Sequence, residues 1–141
     1  MIYYFDTSAL LKKYFLEEGT PQVMGLFAER GPIVCTCFIT SVEGYHGIYR
    51  KKKEGSLSNA IIQKVIKQFQ KDLRGFKIVN SSEKIISLAQ KIIQKTTLKT
   101  LDSLHVASAL LIKRMVKSTV TFVSYDVQQK DVADKFGLKI F

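Results

Sequence analysis

The spacing of apolar positions changes repeatedly along the chain, and the changes mark alternating strands and helices. Met1 to Phe5 is an apolar, aromatic-rich run that stops at Asp6, which predicts a short buried strand. Ala9, Leu10, Lys12, Lys13, Tyr14 and Phe15 then follow helical spacing with charge on one side, until Gly19-Thr20-Pro21 breaks the helix. Thr20 is predicted to cap a second helix, with Pro21 at its first position, running to Gly31-Pro32. Ile33 to Ile39 reads as a second buried strand. Thr40-Ser41-Val42-Glu43 opens a third helix that ends in the basic run Arg50 to Lys53. Gly44 and Gly47 weaken that helix by up to about 1 kcal/mol each relative to Ala.

Ser56 or Ser58 is expected to cap a fourth helix. Its stripe of Ile61, Ile62, Val65, Ile66, Phe69 and Leu73 reads as core or a dimer face. Phe76 to Val79 predicts a short strand, and Ser81 or Ser82 caps a helix with Ile85, Ile86, Leu88, Ala89, Ile92 and Ile93 inward. The helix after Asp102 is apolar nearly all round and is therefore expected to be largely buried. Thr119 to Tyr125 is a strand ending at Asp126, and a short helix leads through Gly137 to a last strand, Leu138 to Phe141. Strands alternating with helices predict an α/β fold, a parallel sheet flanked by helices, in one domain spanning residues 1–141.

A chain of 141 residues can bury a sizeable core, and 46% hydrophobic residues exclude a disordered protein. The net charge of +10 favours a polyanionic partner: nucleic acid, an acidic protein tail or a membrane surface. No apolar stretch reaches the roughly 18 residues that span a bilayer, and the first apolar run is too short for a secretory signal. Cys35 and Cys37 point to one strand face, where a bond between them is awkward, so buried free thiols in a reducing cytoplasm are expected. A zinc site from Cys35, Cys37, His46 and His105 would match no usual spacing.

Four acids stand at helix starts. Asp6 and Asp126 each follow a strand, and Glu43 and Asp102 each lie in a first helical turn. Capping alone accounts for each: Thr40-x-x-Glu43 has the form of a capping box, and Asp6, Asp102 and Asp126 fit as N-caps. The competing reading brings all four to one rim of the sheet. Two like charges 4 Å apart repel by about 4 kcal/mol at an effective dielectric near 20, and a divalent cation relieves such crowding. Oxygen-only ligands suit Mg²⁺, with Mn²⁺ as a substitute. Carboxylates holding Mg²⁺ inside a basic domain fit hydrolysis of a nucleic-acid backbone.

The motifs themselves add a resemblance. Phe5-Asp6-Thr7-Ser8-Ala9-Leu10, Ser41-Val42-Glu43, Leu101-Asp102-Ser103-Leu104-His105-Val106-Ala107-Ser108-Ala109-Leu110 and Ser124-Tyr125-Asp126 occur in order, each in its strand or helix context. The set resembles the PIN-domain ribonucleases, above all the VapC-type toxins of toxin–antitoxin pairs, over nearly the whole chain. The resemblance implies a three-layer α/β/α fold with a mainly parallel sheet of about five short strands. It implies Asp6, Glu43, Asp102 and Asp126 as metal ligands, with Ser8 supporting the site through its hydroxyl. It further implies Mg²⁺-dependent endoribonuclease activity, a homodimer and an antitoxin partner. Two departures stand out: Gly44 and Gly47 place Glu43 less firmly, and Asp131 and Asp134 compete with Asp126 for the fourth position.

The expected function is therefore a toxin that cuts RNA with a metal-activated water, leaving a 3′-hydroxyl and a 5′-phosphate. A housekeeping RNA-processing nuclease of the same fold, and a non-catalytic RNA- or protein-binding domain whose acids are caps, stay open as alternatives. Lys12 and Lys13 are the nearest candidates for RNA phosphates, with Arg50 a further one. His105 shares a helix face with Asp102 but reads as a satisfied core residue rather than a general base.

Overall fold

The computed structural model describes residues 1–55 and 57–141. Strand β1 (Ile2–Phe5) lies in the middle of the sheet. It pairs in parallel with β2 (Ile33–Cys37) on one side and β4 (Val120–Val123) on the other, with Tyr4 opposite Cys35 and Phe122. Strands β3 (Lys77–Val79) and β5 (Lys139–Ile140) add parallel edges, so the order is β3-β2-β1-β4-β5. Side chains alternate across the sheet, and the two faces acquire separate cores. Tyr3 and Phe5 pack with α1 (Thr7–Leu11), α2 (Thr20–Ala28), α3 (Thr40–Glu54) and α4 (Asn59–Gly75). Tyr4 and Phe122 pack with α5 (Glu83–Thr96), α6 (Thr100–Val116) and α7 (Val127–Lys135). The result is the expected three-layer α/β/α arrangement on a five-stranded parallel sheet.

Chain direction across this sheet reverses beside β1. From β1 the chain steps outward through β2 and β3, and β4 then returns to the other side of β1 before β5. In open α/β sheets such a switch point leaves a crevice at the carboxyl ends of the two diverging strands. Here those ends carry Asp6, after β1, and Ser124 to Asp126, after β4. The Asp6 N–H donates to the Val123 carbonyl at 3.1 Å, which extends the ladder and fixes Asp6.

Several local expectations are corrected. The first helix ends at Leu11, not beyond Phe15. Lys12 turns to Glu17 and the Glu18 carbonyl, while Lys13 and Tyr14 turn to Asp72 on α4. Thr20 does not cap α2; its hydroxyl donates to the Phe15 carbonyl, and Gly19 takes the cap position with φ +86°. Strand β2 stops at Cys37 because Ile39 already has helical dihedrals as the α3 cap. Ile86, expected inward, is half exposed. Ser58 caps α4 and Ser82 caps α5; Ser56 lies outside the described residues.

The two glycines of α3 have a packing reason that helix propensity hides. A Cβ on Gly44 would run into the Phe69 ring of α4, and one on Gly47 would meet Leu11 at the end of α1. Both glycines are buried, so α3 is drawn close to its neighbours and Glu43 is firmly seated beside them. Gly44→Ala should therefore destabilise the protein by about 1–2 kcal/mol net, because overpacking a filled core costs about 1–3 kcal/mol and the helix-propensity gain returns up to about 1 kcal/mol of it. Thermal melting checks this, and an unchanged or higher midpoint would contradict it.

Candidate functional site

Asp6, Ser8, Glu43, Asp102 and Asp126 line one cavity of about 450 Å³ at the switch point, together with Thr7, His105 and Gln129. The elements that bring them there are those the sheet topology dictates: the ends of β1 and β4 and the first turns of α3 and α6.

Asp6 is only 4% exposed. Its Oδ1 accepts from the Ala9 N–H at 2.7 Å, so it does cap α1. Ser8 donates to both of its oxygens, at 3.1 and 3.0 Å, and Ser124 donates to Oδ2 at 2.8 Å. Burial nevertheless raises the Asp6 carboxyl above its ordinary range, against the lowering effect of these donors and of His105. A carboxylate so enclosed gains from any cation that reaches it.

Glu43 belongs to no capping box. Ile39 is the α3 cap position and no side chain bonds there. The Glu43 Oε2 instead accepts from Thr7 at 2.6 Å and from His105 Nε2 at 2.9 Å. Burial by itself would raise Glu43, but these two bonds and the imidazolium charge hold it below the usual carboxylate range. His105 is 2% exposed, with Tyr4 Oη 3.0 Å and Cys37 Sγ 3.5 Å from Nδ1. Burial pulls its pKa down, but the bonds to Cys37 and Glu43 and the nearby charges, Asp6 among them, push it up to about 10. It is thus a buried, fully partnered histidine of the core, and through Nε2 it holds the Glu43 carboxylate.

Asp102 is not a cap either. Lys99 is the α6 cap position, and Asp102 sits in the first turn with Oδ1 accepting from Gln129 Nε2 at 3.2 Å. Its carboxyl is raised first by burial, then by the charges of Asp126, Asp6 and Glu43, with His105 pulling the other way. The acids therefore feel one another. Asp126 does cap α7, accepting from the Gln129 N–H at 2.7 Å, and its own N–H donates to Ser124 Oγ at 3.1 Å. The four do not form a finished coordination set. Among the described residues, no three His, Cys, Asp or Glu side chains converge closely enough to hold an ion. Asp6 is turned to its serines, Glu43 to His105 and Asp102 to Gln129.

The cationic candidates divide. Lys12 and Arg50 line a groove of about 790 Å³ that shares Thr7, Ser8, Glu43 and Asp126 with the acidic cavity. Lys12 lies 4.5 Å from the Tyr125 ring centre and 3.1 Å from Glu17, which also holds Lys51. Arg50 pairs loosely with Glu54 at 3.6 Å. Lys13 points elsewhere: it pairs with Asp72 at 2.5 Å, against the Phe27 ring, and so is withdrawn as a phosphate contact. Of the zinc candidates only Cys37 and His105 meet; Cys35 lines an apolar cavity beside β3 and His46 lines the groove of Lys12 and Arg50. Both cysteines are free and buried, as expected. Thr7, Ser124 and Gln129 carry polar contacts that the pattern of acids alone does not reveal.

The family model of the PIN domain matches residues 3–135. None of the curated proteins matches the chain significantly in sequence. Among solved structures, the chain is similar to FitAcB from Neisseria gonorrhoeae at 17% identity and TM-score 0.74, covering 100% of this chain and 96% of that one. It is similar to VapBC2 from Rickettsia felis bound to a promoter DNA fragment, at 16% identity and TM-score 0.67, covering 100% and 98%. A toxin–antitoxin complex from Klebsiella pneumoniae shares 21% identity at TM-score 0.65, covering 90% and 88%. No helix of the described residues is long and apolar enough to cross a membrane.

Proposed function

The chain belongs to the PIN domain family, and from that premise we propose that it is a Mg²⁺-dependent endoribonuclease acting as the toxin of a toxin–antitoxin pair. The observation that carries this reading is the gathering of Asp6, Glu43, Asp102 and Asp126 in one cavity, with Glu43 and Asp102 released from any capping duty. The donor set suits a hard divalent cation, because every carboxylate facing the cavity offers oxygen and the one imidazole is committed to Glu43. Mg²⁺, or Mn²⁺ in its place, would be held by Asp6 and Asp102, with Glu43 and Asp126 completing the set. Their raised carboxyls, Asp6 and Asp102, return toward the ordinary range beside a cation.

A bound divalent ion supplies a water of lowered pKa and charge stabilisation for the leaving oxygen. The residues of the chain do the rest. Ser8 and Ser124 keep Asp6 aligned, His105 and Thr7 keep Glu43 aligned, and Lys12 and Arg50 in the adjoining groove meet the flanking phosphates of RNA. The net charge of +10 draws the polyanion in. The toxin assignment rests on the PIN fold together with likeness to a toxin–antitoxin complex. The chain accordingly forms a homodimer in the cytoplasm, and an antitoxin segment covers the cavity with a basic side chain that stands in for the cation's charge.

The purified protein is expected to cut single-stranded RNA in Mg²⁺ or Mn²⁺, leave 5′-phosphate ends, and stop in EDTA. Cleavage that persists in excess chelator, or 2′,3′-cyclic ends, would overturn the metal-water reading. RNA binding without any cutting would favour the non-catalytic alternative. Expression alone is expected to arrest growth, with relief by the co-expressed antitoxin. Harmless expression of active, folded protein would overturn the toxin assignment while leaving the nuclease intact.

A further inference from the structure

Gln129 has a feature that packing does not explain. It sits on α7, where the other buried side chains, Val132 and Ala133, are apolar, and it is itself only 1% exposed. Its carboxamide Nε2 donates to Asp102 Oδ1 at 3.2 Å, and its backbone N–H donates to Asp126 Oδ1 at 2.7 Å. Among the described residues, its Oε1 is buried with no hydrogen-bond partner. The amide cannot be reversed to cure this, because Oε1 would then face the Asp102 carboxylate. A buried acceptor without a donor is unfavourable, and Met or Leu would fill the same space without one. The orphan acceptor is a cost that Met or Leu would not carry, and the one bond the carboxamide makes among the described residues goes to a carboxylate of the cavity. A buried amide left half satisfied on the wall of a functional cavity points to a role in the site.

The role follows from what Gln129 joins. Among the described residues, its Nε2 is the one hydrogen-bond donor to Asp102. Through its backbone N–H it also fixes Asp126, the cap of its own helix α7, whereas Asp102 belongs to α6. A single residue thus sets the spacing between a carboxylate of α6 and the carboxylate that caps α7. We infer that Gln129 is a positioning residue that holds Asp102 in register with Asp126, so that both can engage one divalent cation. The inference rests on the metal-carboxylate reading above, and it adds a requirement that the four acids alone do not contain. Partners behind metal ligands of this kind change affinity by about 10–100-fold when removed.

The test is Mn²⁺ binding to the full chain without RNA, read as free Mn²⁺ by electron paramagnetic resonance, alongside thermal melting. Gln129→Met and Gln129→Leu both remove the donor and the orphan acceptor while keeping side-chain bulk. Both are expected to bind Mn²⁺ at least about tenfold more weakly and to melt at the wild-type temperature or above it. Wild-type affinity in both variants would overturn the inference and leave the metal site standing. Failure to fold, or a lower melting temperature with Mn²⁺ affinity unchanged, would make Gln129 a packing residue and overturn it equally. If the wild type itself binds no Mn²⁺, the metal reading beneath the inference falls with it.

Discussion

Asp102→Asn is expected to slow RNA cleavage by at least about a hundredfold, within the range seen when an electrostatic catalytic group is removed, with the fold intact. Asn keeps the shape of Asp and the acceptor that Gln129 uses, so the contact between α6 and α7 survives. The charge is lost at a position where burial and three neighbouring carboxylates disfavour it, so melting should be unchanged or higher. Asp6→Asn should cut activity equally: Asn still offers the Ala9 N–H its acceptor, but the best-enclosed negative charge of the cavity is gone. Asp126→Asn should do less, because Asp126 is exposed and its first duty is the α7 cap. Asp131→Asn and Asp134→Asn should leave activity near wild type, since both are exposed and neither lines the cavity. Cleavage rates against Mn²⁺ concentration for the five variants decide the matter. If Asp102→Asn cuts RNA normally, the central assignment is wrong.

His105→Ala is expected to destabilise the protein by about 3 kcal/mol. Breaking a buried ion pair by removing one partner costs about 3–5 kcal/mol, and Glu43, a quarter exposed and still bonded to Thr7, sets the lower end. The sign of the pH dependence follows from the shift. The folded pKa of His105 is pushed up to about 10, against an ordinary value of about 6.5. Its stabilisation is therefore fully present below about pH 6.5 and is lost as pH rises toward 10. Glu43, held low, contributes above its ordinary range and loses that contribution only in acid. The melting temperature of the wild type should thus approach that of His105→Ala between pH 7 and 10. A gap that stays constant across that window would show the imidazole to be neutral in the folded protein.

Much of this was legible in the chain. Asp6 and Asp126 could be placed because each interrupts an apolar run, and an interrupted strand fixes where a side chain emerges. The parallel sheet followed from strands alternating with helices. Sequence and structure part where local chemistry has a distant competitor. Thr40-x-x-Glu43 has every residue of a capping box, yet His105, 62 positions away, takes the carboxylate. Gly44 and Gly47 looked like helix defects because their partners, Phe69 and Leu11, are on other helices. Lys13 looked close to the site along the chain, but Asp72 draws it off. Gln129 gave no signal at all, being a polar residue in a short polar helix; only its burial and its orphan oxygen set it apart.

Crystals soaked in Mn²⁺ and measured at its absorption edge show whether these carboxylates share a divalent cation. An anomalous peak in contact with carboxylate oxygens of both Asp6 and Asp102, lost in Asp102→Asn crystals, is the predicted result. Full Mn²⁺ occupancy elsewhere on the surface, with none between Asp6 and Asp102, would contradict it.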